Sequence, residues 1–346
     1  LSSASLEFSE HVLADTEKWF RVIKERNTVG LPISIIEMVK QAAIDRGLED
    51  YCLTLDAPIY LGFMTYSSDR IIREELWRAY NKRSARGDSN DNTQLVLEIS
   101  ELRRKRAKLL GYRSHASFVL EERMAKDPLT VYDFLESLKS KALPAAKKEV
   151  LELKYFAKNS LDLPEIKKWD IPFVVEKFKK EKLNYNDEIT KPYFSINQVL
   201  NWAFSLAERL YGLEFKLSKQ QAYRSDVQVY DVTSKNGDWV GHMLTDWHPR
   251  KGKRNGAWMT SYRKALKYRS REVYPVVSLV CNFSTSSKGQ VPLLTFNEVL
   301  TLFHEFGHGL HGILGKGKYS SLTLSLIHIS EPTRLLSISY AVFCLK

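Results

Sequence analysis

Three of the chain's eight histidines fall within residues 304–311. The first two bracket the run His304-Glu305-Phe306-Gly307-His308. On a helix, side chains four residues apart project from one face, one turn apart. Both imidazoles can therefore reach a single Zn2+ at about 2.0–2.1 Å. Glu305 sits beside the first histidine, so its carboxylate can reach a water on the metal without displacing it. A zinc ion lowers the pKa of that water toward about 7, and a carboxylate base completes its activation. The water then attacks a carbonyl polarised by the metal, and Glu305 passes the proton to the leaving amine. His304 and His308 are thus the candidate metal ligands, Glu305 is the candidate base, and peptide hydrolysis is the chemistry.

The remaining reactive residues carry blander readings. His311 lies three residues after His308, near the same face. A third ligand from one helix would crowd the metal, so His311 reads as a supporting or packing histidine. His242 and His248 flank a strand pair and read as solvent-facing or satisfied. Cys281 lies inside the apolar run PVVSLVCNF and reads as a core residue rather than a nucleophile.

These residues need elements to hold them. Thr295 followed by Glu298 is a capping box, and Phe296, Val299, Leu300 and Phe303 form an apolar face, so the motif lies on a helix over 296–314. Pro275–Phe283 reads as a buried strand just before it. Val227–Val232 and Trp239–Leu244 read as a hairpin with Asn236-Gly237 at its tip. Residues 249–256, PRKGKRNG, are a basic glycine-containing loop. Upstream, helical periodicity dominates. Amphipathic helices are expected over 6–26, 33–46, 70–84, 93–110, 129–157 and 195–211, with Pro144 kinking or splitting the fifth. Starts are signalled at Ser68-Asp69, Asp91 and Ser195. The class is mainly α with a small sheet. The expected division is a helical part over 1–222 and a sheet-plus-helix part over 223–322.

Composition bounds the rest. The 346 residues are 44% hydrophobic and 27% charged, which suits a globular core and excludes a wholly disordered or collagen-like chain. No apolar run is long enough to span a bilayer. Net charge is +11. Basic residues interleave with acidic ones along helices, and no DNA- or RNA-binding motif accompanies them, so a nucleic-acid partner is not expected. Three scattered cysteines exclude a disulfide framework and fit a reducing compartment. With Leu1 at the start, the compartment is not readable from a leader.

VPLLTFNEVLTLFHEFGHGLHGIL resembles the metal-binding helix of the M3 family of zinc metallopeptidases, the thimet oligopeptidase family. The resemblance extends over residues 91–125, over TDWHPRKGKRNGAWMTSY (245–262) and over the PVVSLVCNF strand, reaching about Leu322. GKRNGAW and LVCNF are most similar to the bacterial peptidyl-dipeptidase (Dcp) branch. The resemblance implies an almost wholly helical, two-lobed fold around a deep channel, with a small sheet at the active-site wall. It implies short peptide substrates, release of C-terminal dipeptides, a cytoplasmic monomer and one Zn2+ held by His304 and His308 with Glu305 as base. An M3 oligoendopeptidase and a non-catalytic helical peptide-binding scaffold are the alternatives.

The resemblance also implies a third zinc ligand, a Glu 25 residues beyond the second histidine, and that position is Thr333. Glu331, the nearest carboxylate, precedes Pro332 in a segment without helical pattern and is not expected to substitute. Residues 324–346 do not resemble the family and read as translated adapter sequence, which implies a non-native tail over 323–346. The chain is therefore expected to be an inactive fragment, incomplete at both ends, of an active peptidase.

Overall fold

Aromatic and β-branched residues interrupt the helical pattern early. The computed structural model describes residues 1–268, 271–284 and 291–315, together with 317 and 319. Helix α1 (Ser2–Lys18) ends sooner than the expected 6–26 span, because Phe20–Ile23 is strand β1. It pairs antiparallel with β2 (Tyr51–Thr54), Val22 opposite Cys52. Trp19-Phe20 and Val22-Ile23 suit a pleated surface better than a helix, and Ile23 is buried there. Between the strands lies α2 (Ile33–Ile44), as the spacing predicts, and after them α3 (Ala57–Tyr66). Helix α3 carries little periodicity in its sequence because it is apolar nearly all round, as buried helices are.

Helix α4 (Arg70–Asn81) begins where Ser68-Asp69 signals, with the Asp69 carboxylate accepting from the Ile72 N–H at 3.1 Å. Helices α5 (Thr93–Leu109), α6 (His115–Leu120) and α7 (Pro128–Ser160) follow. Asp91 supports the start of α5 by accepting from Thr93 N, one residue outside the Asn92 cap. Helix α7 runs unbroken for 33 residues through Pro144 rather than dividing there. Helices α8 (Ile171–Leu183) and α9 (Asp187–Thr190) lead to α10 (Ile196–Tyr211), capped by Ser195 as expected. A first hydrophobic core joins β1, β2, α2, α3 and α4 around Val39, Leu53, Phe63 and Leu76.

The second core is built on a mixed sheet. Strands β3 (Leu213–Leu217), β4 (Gln228–Ser234) and β5 (Trp239–Asp246) form an antiparallel meander. The β4–β5 turn holds Gly237 at φ +86, a conformation glycine adopts without strain. Then come β6 (Trp258–Arg263), the small pair β7 (Leu266–Tyr268) and β8 (Arg271–Val273), and β9 (Val276–Val280). The order is β3-β4-β5-β9-β6. Strand β9 runs parallel to β5, Asp246 opposite Val280, and antiparallel to β6.

Helix α11 (Phe296–Leu314) lies across this sheet over the predicted span. Its capping box is complete: Thr295 Oγ1 accepts from Glu298 N at 3.2 Å, and Glu298 Oε2 accepts from Thr295 N at 2.8 Å. Val299, Leu302, Phe306 and Ile313 recur at helical spacing and bury against Met243, Val277 and Leu279, with α10 adding Val199 and Ala203. Gly309 permits the close approach, since a Cβ there would stand 2.8 Å from Leu279 Cδ2. Among the described residues no helix is long and apolar enough to cross a membrane. Glu331, Thr333 and the 324–346 segment lie outside the described residues.

Candidate metal centre

Helix α11 presents the three predicted residues together. His304 and His308 are half-buried, and their Nε2 atoms stand 3.0 Å apart. Their rings are 4.6 Å apart and almost perpendicular. Two nitrogens at about 2.0–2.1 Å from one tetrahedral ion lie about 3.3 Å apart, so the pair is within a few tenths of an ångström of the spacing two donors to a single metal require. Imidazole is a favoured zinc ligand. Among the described residues no group of three or more His, Cys, Asp or Glu is gathered to hold a metal. Glu305, between the two histidines in sequence, is buried at 6% exposure.

Cys281 sits just past the end of β9 and is fully buried. Burial, then the charge of Glu305, pushes its thiol well above the usual range. A buried thiol held protonated suits a core residue rather than a nucleophile. Cys52 is likewise a free, buried thiol. His248 is half-buried with its Nδ1 3.4 Å from the Phe283 carbonyl, and burial lowers its pKa. His242 faces Asp231 at 3.0 Å and packs edge-on against Trp239. Both pack within the protein rather than facing solvent freely. His311 is half-buried in the last turn of α11.

The loop after β5 is less ordinary than its composition. Asp246, at the end of β5, is 2% exposed. Arg250 grips it with two hydrogen bonds of 2.6 and 2.7 Å. Lys253 Nζ donates to it at 2.8 Å and Tyr223 Oη at 2.6 Å. Burial pushes the Asp246 carboxyl up, but these three donors outweigh burial and hold it at about 2. Burial pulls the Lys253 ammonium down, and the Asp246 contact opposes it. Sequence patterning cannot reveal this cluster, because a run such as PRKGKR reads as a solvated loop. The available signal is Asp246 followed by cations four and seven residues later.

The sequence profile described as Peptidase family M3 matches residues 63–329. Oligopeptidase A of Haemophilus influenzae is 38% identical over 322 residues, 91% of this chain and 47% of the relative. Oligopeptidase A of Escherichia coli is 36% identical over 321 residues, with the same coverage of 91% and 47%. Dipeptidyl carboxypeptidase of Escherichia coli is 28% identical over 321 residues, 92% of this chain and 47% of the relative. Identity is thus higher to these oligopeptidase A sequences than to that dipeptidyl carboxypeptidase, contrary to the branch that the GKRNGAW and LVCNF stretches suggest. The chain spans about half the length of the curated relatives it matches. The capped helix bearing His304-Glu305-Phe306-Gly307-His308 falls within the matched region, and the chain belongs to peptidase family M3.

Proposed function

We propose that this chain carries the zinc-binding helix of a metallopeptidase that hydrolyses short peptides. The observation that carries the reading is the 3.0 Å approach of the two Nε2 atoms beside a buried carboxylate. His304 and His308 would hold the zinc, which when bound supplies a Lewis acid for the peptide carbonyl and an acidified water. Glu305 takes the proton of the attacking water on a carboxylate oxygen and returns it to the leaving nitrogen. Its burial against the sheet keeps bulk water from competing for that proton. Strand β9, buried at all but its first residue, packs behind the helix in the shared core.

Higher identity to proteins called oligopeptidase A supports cleavage within oligopeptides. Release of C-terminal dipeptides is the second reading, favoured by similarity to a protein called dipeptidyl carboxypeptidase. The buried free thiols suit a cytoplasmic setting. The isolated 346-residue chain is expected to be inactive, because the family's third-ligand position is Thr333. Titration of the chain with Zn2+, followed by the imidazole NMR signals of His304 and His308, tests the site. Shifts confined to these rings and absent in His304→Ala are expected, and unchanged spectra refute the assignment. Chelator-sensitive cleavage by the isolated chain would refute its inactivity. With a version completed by the remaining half of the family's length, blocking a peptide's C-terminal carboxyl as an amide abolishes dipeptide release but spares internal cleavage.

A further inference from the structure

Lys253 is a buried ammonium at 9% exposure with four oxygens around it. It donates to Asp246 Oδ1 at 2.8 Å and to the carbonyls of Asp246 at 3.1 Å, His248 at 2.8 Å and Cys281 at 2.5 Å. An ammonium has three N–H groups, so no donor is left over for solvent or substrate. Burying such a cation is costly unless it is fully paired. The acceptors come from three places: the end of β5, the loop after it, and the chain beyond β9.

That last stretch, residues 281–284, leads toward the metal helix. Cys281 N donates to the Asp246 carbonyl and Phe283 N to the Trp247 carbonyl, both at 2.8 Å, extending the β5–β9 pairing past its regular end. Ser284 then donates from N at 2.7 Å and from Oγ at 3.1 Å to Glu298 Oε1. The other oxygen of Glu298 closes the capping box of α11. Glu298 lies six residues before His304 on the same helix. Hydrogen bonds at its two ends thus tie the short backbone segment Cys281–Ser284 to the Lys253 ammonium on one side and to the first turn of α11 on the other.

Resting on the metal reading above, we infer that Lys253 is a positioning residue for the metal helix. It pins the 281–284 strap to the end of β5 and thereby sets where α11, and the His304–His308 pair, sits over the sheet. Lys253→Met keeps most of the stem but loses the donors and the charge. Amide hydrogen exchange of the metal-free chain is the first test. Exchange over Val299–His308 is expected to accelerate about tenfold or more relative to Val39 and Phe63 in the first core. Parallel change in both regions, or no change, overturns the inference. If Lys253→Met does not fold, Ser284→Ala probes the far end of the strap, with a smaller acceleration in α11 expected and none overturning it. The second test is the Zn2+ titration of the two imidazoles. Lys253→Met is expected to weaken binding about tenfold or more, with substantial recovery in Lys253→Arg. Wild-type affinity in Lys253→Met overturns the inference. Absence of any Zn2+ response in the wild-type chain sinks the metal reading alone and leaves the exchange experiment to decide the positioning role.

Discussion

Two buried aspartates, one in each half of the molecule, are neutralised in similar ways to different ends. Asp170 precedes α8 and is fully buried. It takes two cations from α4: Arg70, with Nη2 at 2.8 Å, and Arg73 at 2.9 Å. Arg73 also donates to the Ser67 carbonyl at 2.6 Å. This network staples two helices together and involves none of the candidate site residues. Asp246 also takes two cations, but one of them, Lys253, also donates to the backbone carbonyls of Asp246, His248 and Cys281, the last of which opens the strap leading to α11. A buried ion pair is weak evidence for stability in either setting, since burial offsets much of the attraction. What separates the two is where the spare donors point: one set closes on a helix junction, the other on the approach to the helix that carries His304 and His308.

Truncating either aspartate should produce the largest effect. Asp170→Ala and Asp246→Ala each leave a buried cation unpaired and should each lose about 3–5 kcal/mol in denaturant unfolding. Only Asp246→Ala should also weaken Zn2+ binding to His304 and His308; equal binding losses in the two variants would erase the distinction. Acid gives the next effect. With its carboxyl held at about 2 against an ordinary 3.8, Asp246 adds about 2 kcal/mol that is fully present above pH 4 and disappears as pH falls through 2. The Asp170 carboxyl is lowered too, its arginines and the Lys167 N–H outweighing burial. The stability gap between wild type and Asp246→Asn should therefore close between pH 4 and 2, with the same sign for Asp170→Asn. A gap that widens on acidification would contradict both networks.

Helix spacing gives a smaller contrast. A Cβ at Gly62 would collide with Ile35 in the first core, and one at Gly309 with Leu279 in the second. Gly62→Ala and Gly309→Ala should each lose about 1–2 kcal/mol, overpacking exceeding the gain in helix propensity. Only Gly309→Ala should shift the His304 and His308 imidazole signals. Smallest are the caps: Asp69→Ala on α4 and Thr295→Ala on α11 should each lose about 1 kcal/mol in thermal or denaturant unfolding.

Legibility followed the range of the interactions. Helix α11 was readable from end to end because its cap, its apolar face and its histidine pair are all local patterns. The β4–β5 hairpin was readable for the same reason, its turn marked by Asn236-Gly237. Strand β1 was hidden inside an apparent helix because its partners are distant in sequence, from Ile23–Tyr51, 28 residues apart, to Phe20–Thr54, 34 apart. Helix α3 lacked a polar face to betray its period, and β6 lacked alternation. The Lys253 clamp was out of reach because three of its four acceptors are backbone carbonyls, which leave no trace in residue type. The histidine pair was the clearest feature of all, while the proposed third ligand was a matter of resemblance alone.

The parallel pairing of β9 with β5 also sets an order in time. Hairpin β4–β5 closes across a short turn, whereas His242 must wait for Val276, which follows a long excursion through β6, β7 and β8. Loop-closure entropy makes such non-local pairings late events. Lys253 can find Asp246, seven residues away, as soon as its own loop forms, but Cys281 is 28 residues downstream. The cation should therefore be captured early and its last carbonyl delivered late. On that sequence of events, the helix that carries the histidines is among the final pieces of the molecule to be set in place.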